Sequence, residues 1–345
     1  MPEKNERSLI EAARKGDEAA LEALFDPLSR ELQVYAYRML GGFHDAEDAM
    51  QEARLKAWRS LDSYEPQAGF RAWMYRIVTN TCLDMLRTRK RRVLPQDVSG
   101  PVEPGPPSSD MSRDIPWLEP YPDALLPESA GPEAALLLRE SVRLAFIRAM
   151  QVLPPRQRAA LILHDVLDWS GGDVAQMLET TVPAINSAIQ RAREGIARSG
   201  NAVLTDASLE EKKAEAVARF VRAWESGNLD LLVSMLAEDA VMSMPPWLGW
   251  LDGREAITTA LAHPQTWDGE PRPGRYRLLP MGMNGQPAAL AYIRGDDGRY
   301  APVCLTVLTL DAKGRISEMT VFVLREQVEA WGCPPALDAL DVAGD

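Results

Sequence analysis

A proline-rich segment of this chain separates two stretches whose sequences predict helices. Residues 96–132 contain nine prolines and a single basic residue, a composition that favours an extended linker over a packed core. On either side, residues 8–92 and 132–199 repeat apolar side chains at three- and four-residue intervals, which predicts amphipathic helices. We therefore predict two all-α domains, at residues 1–95 and 133–200, joined by an acidic linker.

The sequence after residue 205 predicts a different kind of domain. Two helical segments, near residues 210–226 and 229–236, precede short runs that favour strands and are joined by Gly and Asp turns. The predicted strands are Ala240–Met244, Tyr276–Leu279, Ala288–Ile293, Val303–Leu310 and Ile316–Leu324. Helices followed by an antiparallel meander indicate an α+β domain over residues 206–330, with a tail at 331–345.

Charge and composition narrow the class of protein. The net charge is −12, but residues 1–95 and 133–200 each carry +1, whereas 96–132 and 201–345 carry −6 and −8. Weak binding to DNA by the free chain is expected, since phosphate contacts need cations. The three cysteines and three histidines have no metal-ligand spacing, so we predict no metal and no cofactor. The charged N-terminus and the lack of a long apolar run predict a cytoplasmic protein without membrane association.

The first helical domain combines three local patterns. An acidic, Gln-containing helix at residues 45–52 precedes an aromatic and basic stretch at 70–76, and the domain closes on a basic run at 87–92. Aromatic rings with nearby cations suit single-stranded nucleic acid, because bases stack on rings and phosphates bind cations. Trp73 shares a helix face with Ile77, so we interpret Trp73 as structural.

The second helical domain contains a predicted helix-turn-helix. A short helix begins at Gly171-Gly172-Asp173, and a turn at Thr180-Thr181 leads to a helix over residues 182–196. The second helix buries a predicted stripe of Ile185, Ile189, Ala192 and Ile196. Its outward side chains are short, polar or basic, as in helices that read the major groove, although many helix pairs share this pattern.

These patterns resemble the extracytoplasmic-function, or group four, sigma factors of bacterial RNA polymerase. Residues 45–59 match the family pattern "DAEDxxQExxxxxWR", and residues 70–92 are similar to "FRxWxxxIxxNxxxDxxRxxxR". Residues 153–158 resemble "LPxxxR", and 182–193 resemble "VxTVKSRLxRAR". The chain departs from the last pattern at Asn186 and Ala188, where cations are usual, which predicts weaker phosphate anchoring.

The resemblance implies three binding surfaces. The surface for core RNA polymerase would consist of Asp45, Asp48, Gln51, Glu52 and Lys56. The contacts to the −10 promoter element would come from Arg71, Arg76, Asn80, Arg87, Arg89, Lys90 and Arg91. The contacts to the −35 element would come from Thr181, Ala184, Asn186, Ser187, Gln190, Arg191 and Arg193. Residues 1–95 would thus serve polymerase and the −10 element, and residues 133–200 the −35 element.

The C-terminal domain resembles the SnoaL-like cone fold of the ketosteroid-isomerase type. The resemblance rests on residues 220–228, 236–241 and 253–257. Met244 stands where the isomerases carry their catalytic Asp, so we predict no enzymatic activity. A cluster of Met242, Met244, Trp247 and Trp250 is open to three interpretations: a pocket for an unknown small-molecule ligand, plain core, or an interaction surface.

The linker has one feature that a plain spacer lacks. Residues 115–126 are apolar enough to dock on another surface, so Trp117 and Tyr121 are predicted interdomain contacts. An equally open interpretation is that Trp117 packs locally against a neighbouring domain and has no regulatory role. By resemblance, the C-terminal domain would regulate the sigma domains through contact with the linker and with those domains.

Three functions therefore remain in view. The favoured hypothesis is a sigma factor that binds core RNA polymerase and promoter DNA, modulated by its C-terminal domain. The first alternative is a helix-turn-helix regulator that acts without polymerase. The second is an enzyme of the isomerase type that uses the cone domain.

Overall fold

The chain forms two compact units. A computed structural model describes residues 3–65, 69–105, 111–129, 131–198, 209–262, 273–323 and 328–338. The first unit combines Met1–Arg92 with Leu125–Val203, and the second combines Val93–Ala124 with Leu204–Asp345. The predicted linker is therefore divided, because most of it belongs to the same unit as the C-terminal domain.

The first unit is entirely helical in its described residues. Its N-terminal half contains α1 (Glu3–Arg14), α2 (Glu18–Leu40), α3 (Phe43–Ser60) and α4 (Phe70–Thr88). The carboxylate of Asp17 accepts a hydrogen bond from the Ala20 N–H at 3.1 Å, which caps the start of α2. Gly41 ends α2 in the left-handed conformation, at φ 75°, where a side chain would be strained.

The other half of the first unit contains the predicted helix-turn-helix. Its helices are α5 (Pro132–Glu140), α6 (Leu144–Val152), α7 (Pro155–Leu161), α8 (Gly171–Met177) and α9 (Val182–Arg198). The Ser170 hydroxyl caps α8 by accepting from the Asp173 N–H at 3.1 Å. Ile185, Ile189 and Ala192 are buried on α9, which confirms three members of the predicted stripe. The fourth, Ile196, lies outside the described side chains.

The second unit packs three helices against one sheet. The helices are α10 (Leu209–Ser226), α11 (Leu229–Ser234) and α12 (Arg254–Ala262). The strands are β1 (Leu236–Ser243), β2 (Trp250–Asp252), β3 (Tyr276–Met283), β4 (Gln286–Arg294), β5 (Tyr300–Leu310) and β6 (Ile316–Phe322). Phe220, Leu232 and Ile257 from the helices meet Met242 and Leu308 from the sheet in a buried cluster.

The sheet is mixed rather than a plain meander. Its order is β2-β1-β6-β5-β4-β3, and β1 pairs with β6 in parallel. The prediction of an antiparallel meander was therefore correct for β3 to β6 and wrong for β1. The short strand β2 was not predicted, because its pairing to β1 depends on a contact that local periodicity does not encode.

Residues 93–124 form a segment that we call the strap, and its described parts, residues 93–105 and 111–124, belong to the same unit as this sheet and contact it. The strap pairs with both sheet edges: the Val102 N–H donates to the Trp250 carbonyl at 2.9 Å, and Pro122 forms a β-bridge with Met283. Leu94, Leu118 and Tyr121 are buried. The strap packs on the cone because its apolar residues are buried there and its backbone groups find partners there. Such edge pairing also blunts open strand edges.

Candidate polymerase and nucleic-acid surfaces

The helix α3 presents the predicted polymerase surface. Asp48, Gln51 and Glu52 are exposed on it, whereas only 13 % of the Asp45 side chain is exposed. The Asp45 carboxylate accepts hydrogen bonds from Arg89 and, at 2.6 Å, from Arg92. Lys56 is half-buried and lies 3.5 Å from the Asp84 carboxylate and 4.0 Å from that of Glu52. Asp45 therefore anchors the chain that follows α4, while the other carboxylates face outward.

Two apolar side chains on α3 stand out because they are exposed. Leu55 is 52 % and Trp58 37 % exposed, whereas Ala53 and Ala57 are fully buried. Trp58 faces outward because Ala57 occupies the inner face at that turn. Sequence reasoning missed Leu55 as a binding candidate, and only the orientation of α3 reveals it. Exposed Leu and Trp beside Gln51 and Glu52 form the kind of patch that a protein partner covers.

The helix α4 carries the predicted −10 contacts. The Arg71 guanidinium donates to the Glu31 carboxylate at 2.8 Å and lies over the rings of Tyr75 and Trp169. Arg76 donates to Glu179 at 2.5 Å, and Asn80 is exposed. Both arginines are thus held by other side chains of the first unit.

Trp73 occupies an intermediate position on the same helix. It is half-buried, and its ring packs against Tyr64 at 5.3 Å and Phe70 at 5.6 Å. It also lines a cleft of about 470 Å³ together with Arg76 and Trp169. Trp73 thus packs against two aromatic rings and also lines the cleft.

The basic run after α4 does not act as one patch. Arg87 pairs with Asp84 at 3.0 Å, and Arg89 and Arg92 turn back toward Asp45. Lys90 and Arg91 are exposed. The run therefore divides into residues that fix its backbone to α3 and residues that present charge to solvent.

The helix α9 presents the predicted −35 residues on one exposed face. Thr181, Ala184, Asn186, Ser187, Gln190, Arg191 and Arg193 are all exposed. The Arg193 guanidinium donates two hydrogen bonds of 2.8 Å to Asp165, and Arg191 donates to the Ser187 hydroxyl at 2.6 Å. Burial raises the pKa of the Asp165 carboxyl, but hydrogen bonds from Arg193 and His164 outweigh burial and hold that pKa below its usual value.

Three family models match this chain, and their boundaries follow the helical and cone regions. Sigma-70 region 2 matches residues 24–92, Sigma-70 region 4 matches residues 143–194, and the SnoaL-like domain matches residues 217–319. The sigma factor SigG of Mycobacterium tuberculosis is 39 % identical over 332 residues, which cover 94 % of this chain and 86 % of SigG. The chain belongs to the ECF RNA polymerase sigma factors. It is thus a transcription initiation factor that recognises promoters as part of RNA polymerase.

A solved structure supports the same architecture. The crystal structure of the M. tuberculosis sigma factor SigJ superposes with a TM-score of 0.56 and 24 % identity, covering 90 % of this chain and 98 % of SigJ. In sequence, SigJ is 31 % identical over 219 residues, which are 64 % of this sigma factor and 63 % of SigJ. The predicted fold class, two helical sigma modules followed by an α+β SnoaL-like domain, is confirmed.

The cone domain of this sigma factor lacks the carboxylate expected of an isomerase at the end of β1. Met244 follows β1 and is half-buried, and Met242 is buried in the core. The Trp250 indole donates to the Ser99 carbonyl at 2.9 Å and so holds the strap. Among the described residues, no group of three or more His, Cys, Asp or Glu side chains is arranged to hold a metal. No helix in the described part of the chain is long and apolar enough to cross a membrane.

Proposed function

We propose that this sigma factor initiates transcription under the control of its own cone domain, which acts by holding the strap. Region 2 binds core polymerase through α3 and the −10 strand through α4, and region 4 reads the −35 element through α9. The exposed faces of α3 and α9 support these assignments. The cone domain has no catalytic role in this proposal, and the protein acts in the cytoplasm with its polymerase.

The observation that carries the proposal is the bonding of the strap along the cone. The Ser99 hydroxyl donates to the Leu248 carbonyl at 2.6 Å, and the Ser112 N–H donates to the Pro246 carbonyl at 3.0 Å. The Gln96 amide donates to the Glu318 carboxylate at 3.2 Å. The strap is part of the covalent connection between region 2 and region 4. Docking of the strap therefore limits the distance by which the two regions can separate.

A clasp at the β3–β4 turn closes the far end of the strap. The buried Asn284 donates its N–H to the Tyr121 carbonyl at 2.8 Å, and its side-chain oxygen accepts the Tyr121 N–H at 2.9 Å. The Asp123 carboxylate accepts the Gly285 N–H at 2.7 Å. One of these bonds joins two main-chain groups and the other two join a main-chain N–H to a side-chain oxygen, so the clasp holds the strap at a defined residue.

Docking limits how far the ends of the strap can separate. Val93 pairs with Trp117 in a β-bridge, so only residues 118–124 extend the strap beyond that point. The ends of the docked strap can therefore be at most about 30 Å apart, whereas the same residues fully extended would span roughly 105 Å. Regions that must reach two promoter elements benefit from the longer tether. We therefore propose that docking inhibits initiation and that release activates it.

The addition of one methyl group at Gly282, by substitution with Ala, should test this mechanism. A Cβ at position 282 would overlap with the Asp123 carboxylate, whereas a Cβ at Gly100 in the strap meets no atom within 4 Å. We expect Gly282→Ala to loosen the clasp and to raise open-complex formation by about tenfold, the factor for one hydrogen bond to a charged group. The measurement is in vitro transcription with core polymerase, followed by permanganate footprinting of the melted promoter.

Gly100→Ala is the matched control and should leave transcription at the wild-type level. Thermal unfolding of both variants would show whether the cone domain remains folded. Equal transcription from Gly282→Ala and wild type, with the strap shown by hydrogen exchange to be released, would refute control through the strap. A decrease would mean that the docked strap activates.

A further inference from the structure

One carboxylate in the first turn of α3 holds the chain that follows α4. Asp45 accepts hydrogen bonds from the Arg89 guanidinium and, at 2.6 Å, from Nε of Arg92. The side chains of Asp45 and Arg92 are each 13 % exposed, whereas that of Arg89 is 40 % exposed. Asp48, three residues further along α3, adds a longer contact of 3.3 Å to Arg89. Asp45 therefore offers little of its own surface to a protein partner of α3.

The Arg92 guanidinium lies against Gly42, the residue that precedes α3. The φ of Gly42 is −132°, a backbone conformation that residues with side chains readily adopt. A Cβ at this position would nevertheless overlap with the Arg92 guanidinium. The space that a side chain would take at Gly42 is thus the space through which Arg92 reaches Asp45. We call Gly42, Asp45, Arg89 and Arg92 the clamp.

The clamp holds the basic run on both sides of its two exposed cations. The helix α4 ends at Thr88, and residues 89–92 are neither helix nor strand. Lys90 and Arg91 are exposed and lie between the two arginines that Asp45 holds. An irregular segment loses backbone entropy worth about 1–2 kcal/mol per residue when it becomes ordered on a partner. A segment that its own protein already holds loses less, so binding through it is more favourable.

We infer that the clamp positions the basic run for promoter binding, because it fixes the backbone of residues 89–92 where Lys90 and Arg91 meet DNA phosphates. Asp45 and Gly42 are its positioning residues, and Asp45 acts in this way instead of contacting polymerase. The inference rests on the proposed function, in which region 2 binds promoter DNA. Cations that neutralise phosphates release counterions, so the affinity that they contribute depends steeply on salt.

Neutralisation of Asp45 has an expected sign that separates positioning from two other roles of its charge. If Asp45 only placed a negative charge near DNA, its neutralisation would tighten DNA binding. If Asp45 only withheld Arg89 and Arg92 from phosphates, its neutralisation would add phosphate contacts and again tighten binding. Positioning predicts weaker binding, because loss of the clamp releases the backbone that carries Lys90 and Arg91.

Asp45→Asn and Gly42→Ala change the clamp in two independent ways. Asp45→Asn removes the charge that holds both arginines, whereas Gly42→Ala changes no charge and displaces the flexible end of the Arg92 side chain. Asp62→Asn is the matched control, because Asp62 is exposed in region 2 outside the proposed binding surfaces and the exchange removes the same charge.

Two affinities are measured with the full chain. The first is the affinity of labelled sigma factor for core polymerase. The second is the affinity of the resulting holoenzyme for a promoter fragment that the wild-type holoenzyme has selected from a randomised library, at salt concentrations between about 50 and 200 mM. The double variant Lys90→Ala/Arg91→Ala provides the reference for loss of both cations.

We expect Asp45→Asn and Gly42→Ala to bind core polymerase as the wild type does and to bind the promoter fragment more weakly. Each lost phosphate contact should lower the slope of log affinity against log salt by about 0.9, which is roughly eightfold in affinity at about 0.1 M salt. Asp45→Asn should therefore weaken promoter binding by roughly 8- to 60-fold, with a smaller effect of Gly42→Ala. A purely structural defect would lower the active fraction and leave the salt slope unchanged.

Three other outcomes would overturn the inference. Weaker binding of Asp45→Asn to core polymerase with an unchanged salt slope would show that Asp45 contacts polymerase. Tighter promoter binding by Asp45→Asn would show that the clamp withholds cations from DNA. Weaker binding by the double variant, with Asp45→Asn and Gly42→Ala at the wild-type level, would show that the cations need no positioning. Wild-type binding by the double variant would contradict the proposed contact of the basic run with DNA itself, and with it the role of the clamp.

Discussion

Leu55→Asp should reduce the affinity of this sigma factor for core RNA polymerase by roughly 30- to 1000-fold, the range of a hot-spot side chain worth about 2–4 kcal/mol. Leu55 is 52 % exposed at the centre of the α3 patch that also contains Trp58 and Gln51. In a complex the patch would be dehydrated, and a carboxylate there would be buried without a partner. The measurement is titration of labelled sigma factor with core polymerase.

The same exchange at another exposed leucine provides the control for Leu55→Asp. Leu137 is 58 % exposed on α5, outside the proposed polymerase surface, and Leu137→Asp should bind core polymerase as the wild type does. Both variants should unfold near the wild-type temperature, since neither side chain is in the core. Wild-type affinity of Leu55→Asp would exclude α3 as the main polymerase surface.

Arg158→Ala should lower the free energy of unfolding of the first unit by about 2–4 kcal/mol, a large share of a typical domain stability of about 5–15 kcal/mol. The exchange removes the donors to Met39, Gln151 and Leu153 and leaves their carbonyls buried. For a unit of this size, the midpoint of thermal unfolding should fall by about 5–15 °C. Differential scanning calorimetry of the full chain would resolve the transition.

Arg139→Ala removes an arginine of α5 that is exposed, and it should change the midpoint by less than about 2 °C. Stability of Arg158→Ala equal to that of the control would mean that relief of the buried charge offsets the lost hydrogen bonds.

Local sequence was sufficient for the helices and for the helix-turn-helix. The repeat of Ile185, Ile189 and Ala192 identifies the buried face of α9 because helical geometry alone places those side chains together. Asn186 and Gln190 lie outside this buried stripe, so the same repeat predicts that they are exposed. The absence of an acid at Met244 is also readable from the sequence, since it depends on residue type and not on packing.

Local sequence failed where the partner is distant along the chain. Tyr121 and Asn284 pair across 163 positions, and Arg38 and Ser141 across 103. The Asp45 carboxylate holds Arg89 and Arg92, a pairing across more than 40 positions that the sequence did not predict. Whether a charged side chain faces a partner protein or its own chain depends on which elements meet, and periodicity does not encode that.

The local motifs were therefore sufficient to identify a sigma factor with two helical parts and an appended cone domain. Each motif depends on residues that are close together in the sequence, so the motif can be recognised without the tertiary structure. The contacts between segments that are distant in sequence depend on the tertiary structure. The proline-rich segment packs on the sheet because its backbone groups find hydrogen-bond partners there. Arg38 and Arg158 are held in buried positions because they donate to oxygens at the ends of α5, α2 and α6. These are long-range contacts, and their free energy exists only when the whole chain is folded.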